Sequence, residues 1–211
     1  GADAAVIGAR AAYVGGVHGT ACTLTDAIYG VPAGGTMAHS WVQMFGSEYE
    51  AFLAYCRIYP NNPTLLVDTY NTLKSGLPNA IRVFKELGIE RCAIRLDSGD
   101  LTFLSQQARA MLDQAGLRGC RITASNSLDE WLIRELLRQG AALDVFGVGE
   151  KLITAKSDPV FGGVYKLAAV EEDGRILPKI KISDNASKIT NPHFKKVYRL
   201  YEKGTGKAIA D

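Results

Sequence analysis

Two carboxylates and a guanidinium stand close together in the stretch RLDSGD, residues 95–100. Ser98 and Gly99 make a tight turn there, and strand alternation sends Arg95 and Asp97 to one face. An arginine fork suits a phosphate or a carboxylate, while an aspartate suits sugar hydroxyls or the waters of a magnesium ion. The plainer alternative is an Arg95–Asp97 ion pair at a solvated strand tip.

Other stretches offer complementary groups. GGTMAHSWVQMF (34–45) sets Thr36, His39 and Ser40 between flexible glycines and a bulky apolar run. His39 is then either a reactive imidazole or a core histidine with both nitrogens satisfied. Asp68 ends the apolar run TLLV, followed by Thr69 and Tyr70. ASNS (124–127) places Ser125, Asn126 and Ser127 before a helix, as an anion site or as a capping box of Ser127 with Glu130. In FGVGEK (146–151), Gly147 and Gly149 permit close backbone approach, and their N–H groups could meet a phosphate. That stretch lacks the third glycine of the dinucleotide fingerprint and the Gly-Lys-Ser/Thr of a P-loop.

These residues need elements to position them. Short β-rich runs (64–70, 91–100, 120–127, 143–152) alternate with helical patterns (79–88, 101–116, 128–140), the helices stopped by Gly88, Gly116 and Gly140. The alternation predicts a parallel sheet covered by helices, with polar tips where α/β folds place their sites. Counting from residue 36, with His39 at the end of the first strand, there are five parallel candidates, too few for the eight of a closed barrel. An Ala-rich helix opens the chain. Beyond it, 162–170 and 176–183 read as strands around the turn 171–175, and 195–211 as a hairpin. The expected division is an α/β part over 1–160 and a β-rich extension over 161–211, within a longer protein.

The totals exclude several classes. A formal net charge of +2 over 211 residues gives no nucleic-acid footprint and no polybasic membrane patch. No apolar run approaches the roughly 20 residues that span a bilayer. Cys22, Cys56, Cys92 and Cys120 form no C-x-x-C pair, which predicts buried, reduced thiols and a cytoplasmic protein. The dispersed histidines His18, His39 and His193 show no metal-ligand spacing.

Six stretches together, YGVPAGGTMAHSWVQMF, LLVDTYN, IRLDSGDL, ASNSLDE, DVFGVGEKL and GGVYKLAAV, resemble the nicotinate phosphoribosyltransferases in order and approximate spacing. The resemblance covers essentially the whole chain as the C-terminal portion of such an enzyme. It implies an α/β fold, an incomplete (β/α) barrel of the type II phosphoribosyltransferase kind, and a full-length homodimer sharing its site. It implies that nicotinate, 5-phosphoribosyl 1-pyrophosphate and ATP give nicotinate mononucleotide, pyrophosphate, ADP and phosphate in NAD salvage.

By the same resemblance His39 is phosphorylated by ATP, and Arg95 contacts nicotinate with Thr36 nearby. Asp97 faces the ribose or the metal shell, and Asp68 supports the sugar or the magnesium waters. Asn126, Gly147 and Gly149 hold the 5-phosphate, while Ser40, Ser98 and Gly99 complete the substrate-binding set. Magnesium accompanies the substrate, with no protein ligand of its own. Glu150 stands where members commonly carry Thr or Ser, an unfavourable neighbour for a phosphate unless it points away. The N-terminal domain and an R-R-A-Q segment of the family do not lie within these residues, so the chain alone is expected to be inactive. The alternatives are a nicotinamide-specific type II enzyme and a non-catalytic domain that binds sugar phosphates.

Overall fold

The structure, a computed structural model, describes residues 1–154, 165–182 and 189–210. Four parallel strands, β1 (Thr64–Leu66), β2 (Ala93–Leu96), β3 (Arg121–Ala124) and β4 (Val145–Phe146), pair in sequential order. The register runs Leu66↔Arg95, Arg95↔Thr123 and Ala124↔Phe146. Sequential order means that each right-handed crossover advances in the same direction, which lays the helices on one face as in a barrel. A doubly wound sheet would reverse its order midway. Among the described residues the sheet does not close, so the α/β expectation holds as an incomplete barrel.

Alternation sorts the two faces. In β2 and β3, Ile94, Leu96, Ile122 and Ala124 are fully buried, whereas Arg95 and Thr123 are partly exposed. The even positions face the helix layer and the odd positions face the open side of the barrel. α5 (Leu77–Glu86), α6 (Leu101–Gln114) and α7 (Glu130–Arg138) supply Val83, Phe84, Ala108, Leu112 and Leu136 to one continuous core. Gly116 and Gly140 sit at φ +82° and +79°, left-handed stops that a side chain would strain.

Ahead of the sheet lie α1 (Ala2–Val14), α2 (Thr23–Tyr29), α3 (His39–Met44) and α4 (Glu48–Ile58). The expected first strand is absent: Ala38 is the last extended residue and His39 opens α3. Among the described residues the parallel sheet therefore has four strands. A π-helical turn, Thr72–Gly76, joins β1 to α5, and α8 (Glu150–Ile153) follows β4.

Two caps differ from the sequence reading. Asp100, one of the two carboxylates of RLDSGD, accepts from the Phe103 N–H at 3.0 Å and caps α6. Asp129, and not Ser127, caps α7, accepting from the Leu132 N–H at 2.8 Å. The later strands form two antiparallel pairs, β5 (Ala169–Glu172) with β6 (Arg175–Pro178), and β7 (Leu200–Tyr201) with β8 (Ala208–Ala210). Residues 162–164 and 183 of the expected strands, and the division at 160/161, lie outside the described residues. No described helix is long and apolar enough to cross a membrane.

Candidate active site

The tips of β1, β2 and β3 converge with the start of α3. Arg95, on the open side of β2, donates three ways: from Nε to Ser125 Oγ at 2.8 Å, from Nη1 to Thr36 Oγ1 at 2.8 Å, and from Nη2 to Asp97 Oδ1 at 2.7 Å. The ion pair weighed as the plain reading of RLDSGD is thus present, but as one spoke of a half-buried hub. Each terminal nitrogen carries a second N–H, and among the described residues neither has a partner.

Asp97 is held from several sides. The Ser125 hydroxyl donates to Oδ1. Burial pushes its carboxyl up, but the Ser125 bond and the Arg95 charge together bring it below the usual carboxylate range. Asp68 is 5% exposed and accepts at Oδ2 from the Asp97 N–H at 3.0 Å and the Ser98 hydroxyl at 2.5 Å. Those bonds fix the β2 tip onto the β1 tip.

His39 faces both carboxylates. Its Nδ1 meets Thr69 Oγ1 at 3.1 Å, and its Nε2 stands 3.9 Å from Asp68 Oδ1 and 3.9 Å from Asp97 Oδ2. Neither longer distance is a hydrogen bond. Among the described residues, His39 Nε2 and Asp68 Oδ1 are buried without a hydrogen-bond partner. Burial lowers the His39 pKa, aided by the charges of Lys181 and Arg95, and outweighs the opposing pull of Asp68 and Asp97. The imidazole is therefore neutral at pH 7, with Nδ1 anchored and Nε2 buried 3.9 Å from each carboxylate.

Thr36, His39, Asp68, Arg95, Asp97 and Ser98 form this connected group. The remaining sequence candidates surround it. Ser40 is exposed in the first turn of α3, and Gly99 turns the β2 tip at φ +80°. Asn126 and Ser127 both adopt left-handed φ, at 98° and 51°, the kind of strain that gathers at functional sites. Gly147 is packed closely: a Cβ there would lie 3.3 Å from Ser125 Cβ. Its N–H donates to the Ala124 carbonyl at 2.8 Å, so it does not serve as a phosphate donor. Gly149 has open space at the Cβ position, and Glu150 begins α8 as an exposed residue.

The sequence reading underrated three groups. Ser125 is the pivot between Arg95 and Asp97, Thr69 anchors His39, and Lys181 brings positive charge to it from the C-terminal extension. Thr69 was legible as a polar strand tip, whereas nothing in the pattern around Lys181 singles it out. Asp68 Oδ1 and Asp97 Oδ2 both lie 3.9 Å from His39 Nε2, and no described cluster of three or more His, Cys, Asp or Glu could hold an ion directly.

The anchoring of His39 leads to a prediction. Thr69→Val keeps the volume and removes the Nδ1 partner. It is expected to lower kcat about tenfold with little change in KM, since orientation and not binding is lost. A raised KM with unchanged kcat, measured by steady-state kinetics on the full-length protein, would assign Thr69 to substrate binding instead.

Comparisons with known proteins bear on the whole arrangement. The chain is 52% identical over 200 residues to a nicotinate phosphoribosyltransferase of Bacillus subtilis, covering 94% of the chain and 41% of that protein. It is 37% identical over 249 aligned positions to one from Dictyostelium discoideum, covering 95% of the chain and 42% of the relative. The crystal structure of nicotinate phosphoribosyltransferase from Porphyromonas gingivalis superposes with a TM-score of 0.64 at 25% identity, over 82% of the chain and 48% of that structure. No protein-family model matches the chain. The curated relatives are thus matched over about two-fifths of their length and over nearly all of this one. With the strand order and connected tips described above, the chain belongs to the nicotinate phosphoribosyltransferase family, of whose members it represents a part.

Proposed function

We propose that this chain carries the nucleotide-forming and phosphoryl-accepting residues of an ATP-coupled nicotinate phosphoribosyltransferase. The observation that carries the reading is the neutral His39, with Nε2 unpartnered opposite Asp68 and Asp97, beside a guanidinium that retains free N–H groups. A phosphoryl acceptor must be unprotonated at the attacking nitrogen and held in orientation, and burial with the Thr69 contact supplies both conditions. The Arg95 N–H groups bind the nicotinate carboxylate and orient its ring nitrogen toward the anomeric carbon of the phosphoribosyl donor. Attack there forms the N-glycosidic bond and expels pyrophosphate through a state with oxocarbenium character, which the ionised Asp97 stabilises. Magnesium, when bound with the donor, neutralises the pyrophosphate as it leaves. The turn around Asn126 and the open approach at Gly149 suit the 5-phosphate. Turnover requires the rest of the enzyme, as a homodimer in the cytoplasm.

Arg95 also favours the acid over the amide, because a guanidinium pairs with a carboxylate and gains little from a carboxamide. Calorimetric titration of the chain with nicotinate mononucleotide and nicotinamide mononucleotide tests the reading. Tighter binding of the acid is expected, and equal or reversed affinities would turn the assignment to a nicotinamide-specific enzyme. Arg95→Lys is expected to weaken acid binding by roughly 10-fold to 100-fold, since an ammonium cannot reach Thr36, Ser125, Asp97 and a ligand together. Unchanged binding in that variant would remove Arg95 from the base subsite.

A further inference from the structure

We propose that Cys92 and Cys120, at the end of the barrel opposite the site, form an oxidisable dithiol that a hydroperoxide closes to a reversible disulfide between β2 and β3. The two residues immediately precede the registered pair Ala93↔Arg121, and the Arg121 N–H donates to the Cys92 carbonyl at 3.0 Å. Neighbouring strands lie about 4.8 Å apart, inside the Cα separation of about 4.4–6.8 Å that a disulfide spans. Both side chains fall on the even face of their strands and both are 1% exposed, with the Cys92 Sγ 4.0 Å from the Glu90 carbonyl and the Cys120 Sγ 3.8 Å from the Arg121 carbonyl.

Burial alone would make the pair inert, but two features oppose that. A cavity of about 280 Å³ opens on Cys92, lined also by Asn62, Arg91, Gly119 and Arg121. It is the route by which a small oxidant reaches the buried Cys92. The thiols are also electronically unequal. The neighbouring Cys120 thiol lowers the Cys92 pKa against its burial, with help from the Arg109 charge, while the Cys92 thiol and burial raise that of Cys120. Arg109 is fixed for this by donating to the Cys120 carbonyl at 2.6 Å and the Leu117 carbonyl at 2.9 Å. Cys56 is near enough to feel Cys92, but burial pushes it up to about 12, which leaves it as a spectator.

The chemistry then has an order. The Cys92 thiolate attacks the peroxide O–O bond, forming a sulfenic acid and releasing hydroxide, which takes up the proton lost by Cys92 to become water. Cys120 sulfur displaces the sulfenic oxygen, which leaves as a second water carrying the Cys120 proton. Two thiols are oxidised to one disulfide and one peroxide is reduced to two waters.

The chain is treated with hydrogen peroxide, alkylated in denaturant, digested, and its peptides mapped without reduction. The expected product joins the Cys92 and Cys120 peptides, lighter by two hydrogens, and reverts with dithiothreitol, while Cys22 and Cys56 remain alkylated. Cys120→Ser, or Cys120→Ala if the serine variant does not melt cooperatively, is expected to leave a dimedone-trappable sulfenic acid on Cys92. Cys92→Ser is expected to leave none on Cys120. A link through Cys56, an adduct on Cys120 in the Cys92 variant, or intact Cys92 and Cys120 at a dose that oxidises Cys22 would each overturn the proposal.

Discussion

On the proposed reading, His39→Asn in the full-length protein is expected to abolish labelling by γ-phosphate-labelled ATP and to remove the ATP-dependent part of turnover, a rise of about 2.7 kcal/mol in barrier, a factor of roughly 10². The carboxamide keeps polarity and approximate size, so Thr69, Asp68 and Asp97 lose little packing, and the loss reports nucleophilicity. The pH dependence follows from burial, the leading cause of the lowered pKa. A free histidine takes up its proton near pH 6.5, whereas the folded protein holds His39 neutral to lower pH. Labelling therefore persists as pH falls through 6.5 and declines only at lower pH, where His39 takes up its proton. Stability has the same sign. The unfolded chain binds the proton first, so the contribution is present above pH 6.5 and is lost as pH falls. His39→Asn should flatten that acid limb in urea melts between about pH 7 and 5. Undiminished labelling in the variant would show that another residue accepts the phosphoryl group.

The parallel sheet was legible because its signals are local. Apolar runs such as TLLV and RCAIRL alternate with 3.6-period helices that end at left-handed glycines. The strand tips were equally readable, since Asp68, Arg95 and Asp97 follow directly from where β1 and β2 end. The segment before α3 was misjudged for a physical reason. A short stretch of small and polar residues with a single extended position at Ala38 resembles a strand end as closely as a helix start. One cap went astray similarly: Ser127 was read as capping α7 with Glu130, yet Asp129, directly before the first helical residue, accepts from the Leu132 N–H. Relations between distant residues were not legible at all. Ser125 joins Arg95 to Asp97 across a strand pair, and Cys92 meets Cys120 through register alone, and neither relation leaves a spacing in the chain.

Gly76→Ala is expected to destabilise the chain by roughly 3–5 kcal/mol, the largest effect on folding. Gly76 has ordinary right-handed helical angles, φ −58° and ψ −54°, so its requirement is one of space. A Cβ there would stand 1.9 Å from the Val67 carbonyl oxygen and 2.7 Å from the carbonyl carbon. Those are backbone atoms, and the Val67 N–H is itself tied to the Arg95 carbonyl at 3.2 Å, so the clash cannot be relieved by a rotamer. The π-helical turn permits the approach: the Ser75 and Gly76 N–H groups both return to the Asn71 carbonyl, at 3.0 and 2.9 Å, and Ser75 donates to the buried Glu48. Displacing Val67 displaces Asp68 and Thr69, which hold the β2 tip and the His39 ring. Whatever fraction of the variant still folds should therefore bind nicotinate mononucleotide more weakly, although Gly76 touches none of the site residues. Ser75→Ala is the control, since it loses one hydrogen bond to Glu48, about 1–3 kcal/mol for a charged partner, without moving Val67. Urea denaturation separates the two. A loss below about 1 kcal/mol for Gly76→Ala would mean that the turn can withdraw from β1, and that the tips of β1 and β2 are positioned by their own hydrogen bonds alone.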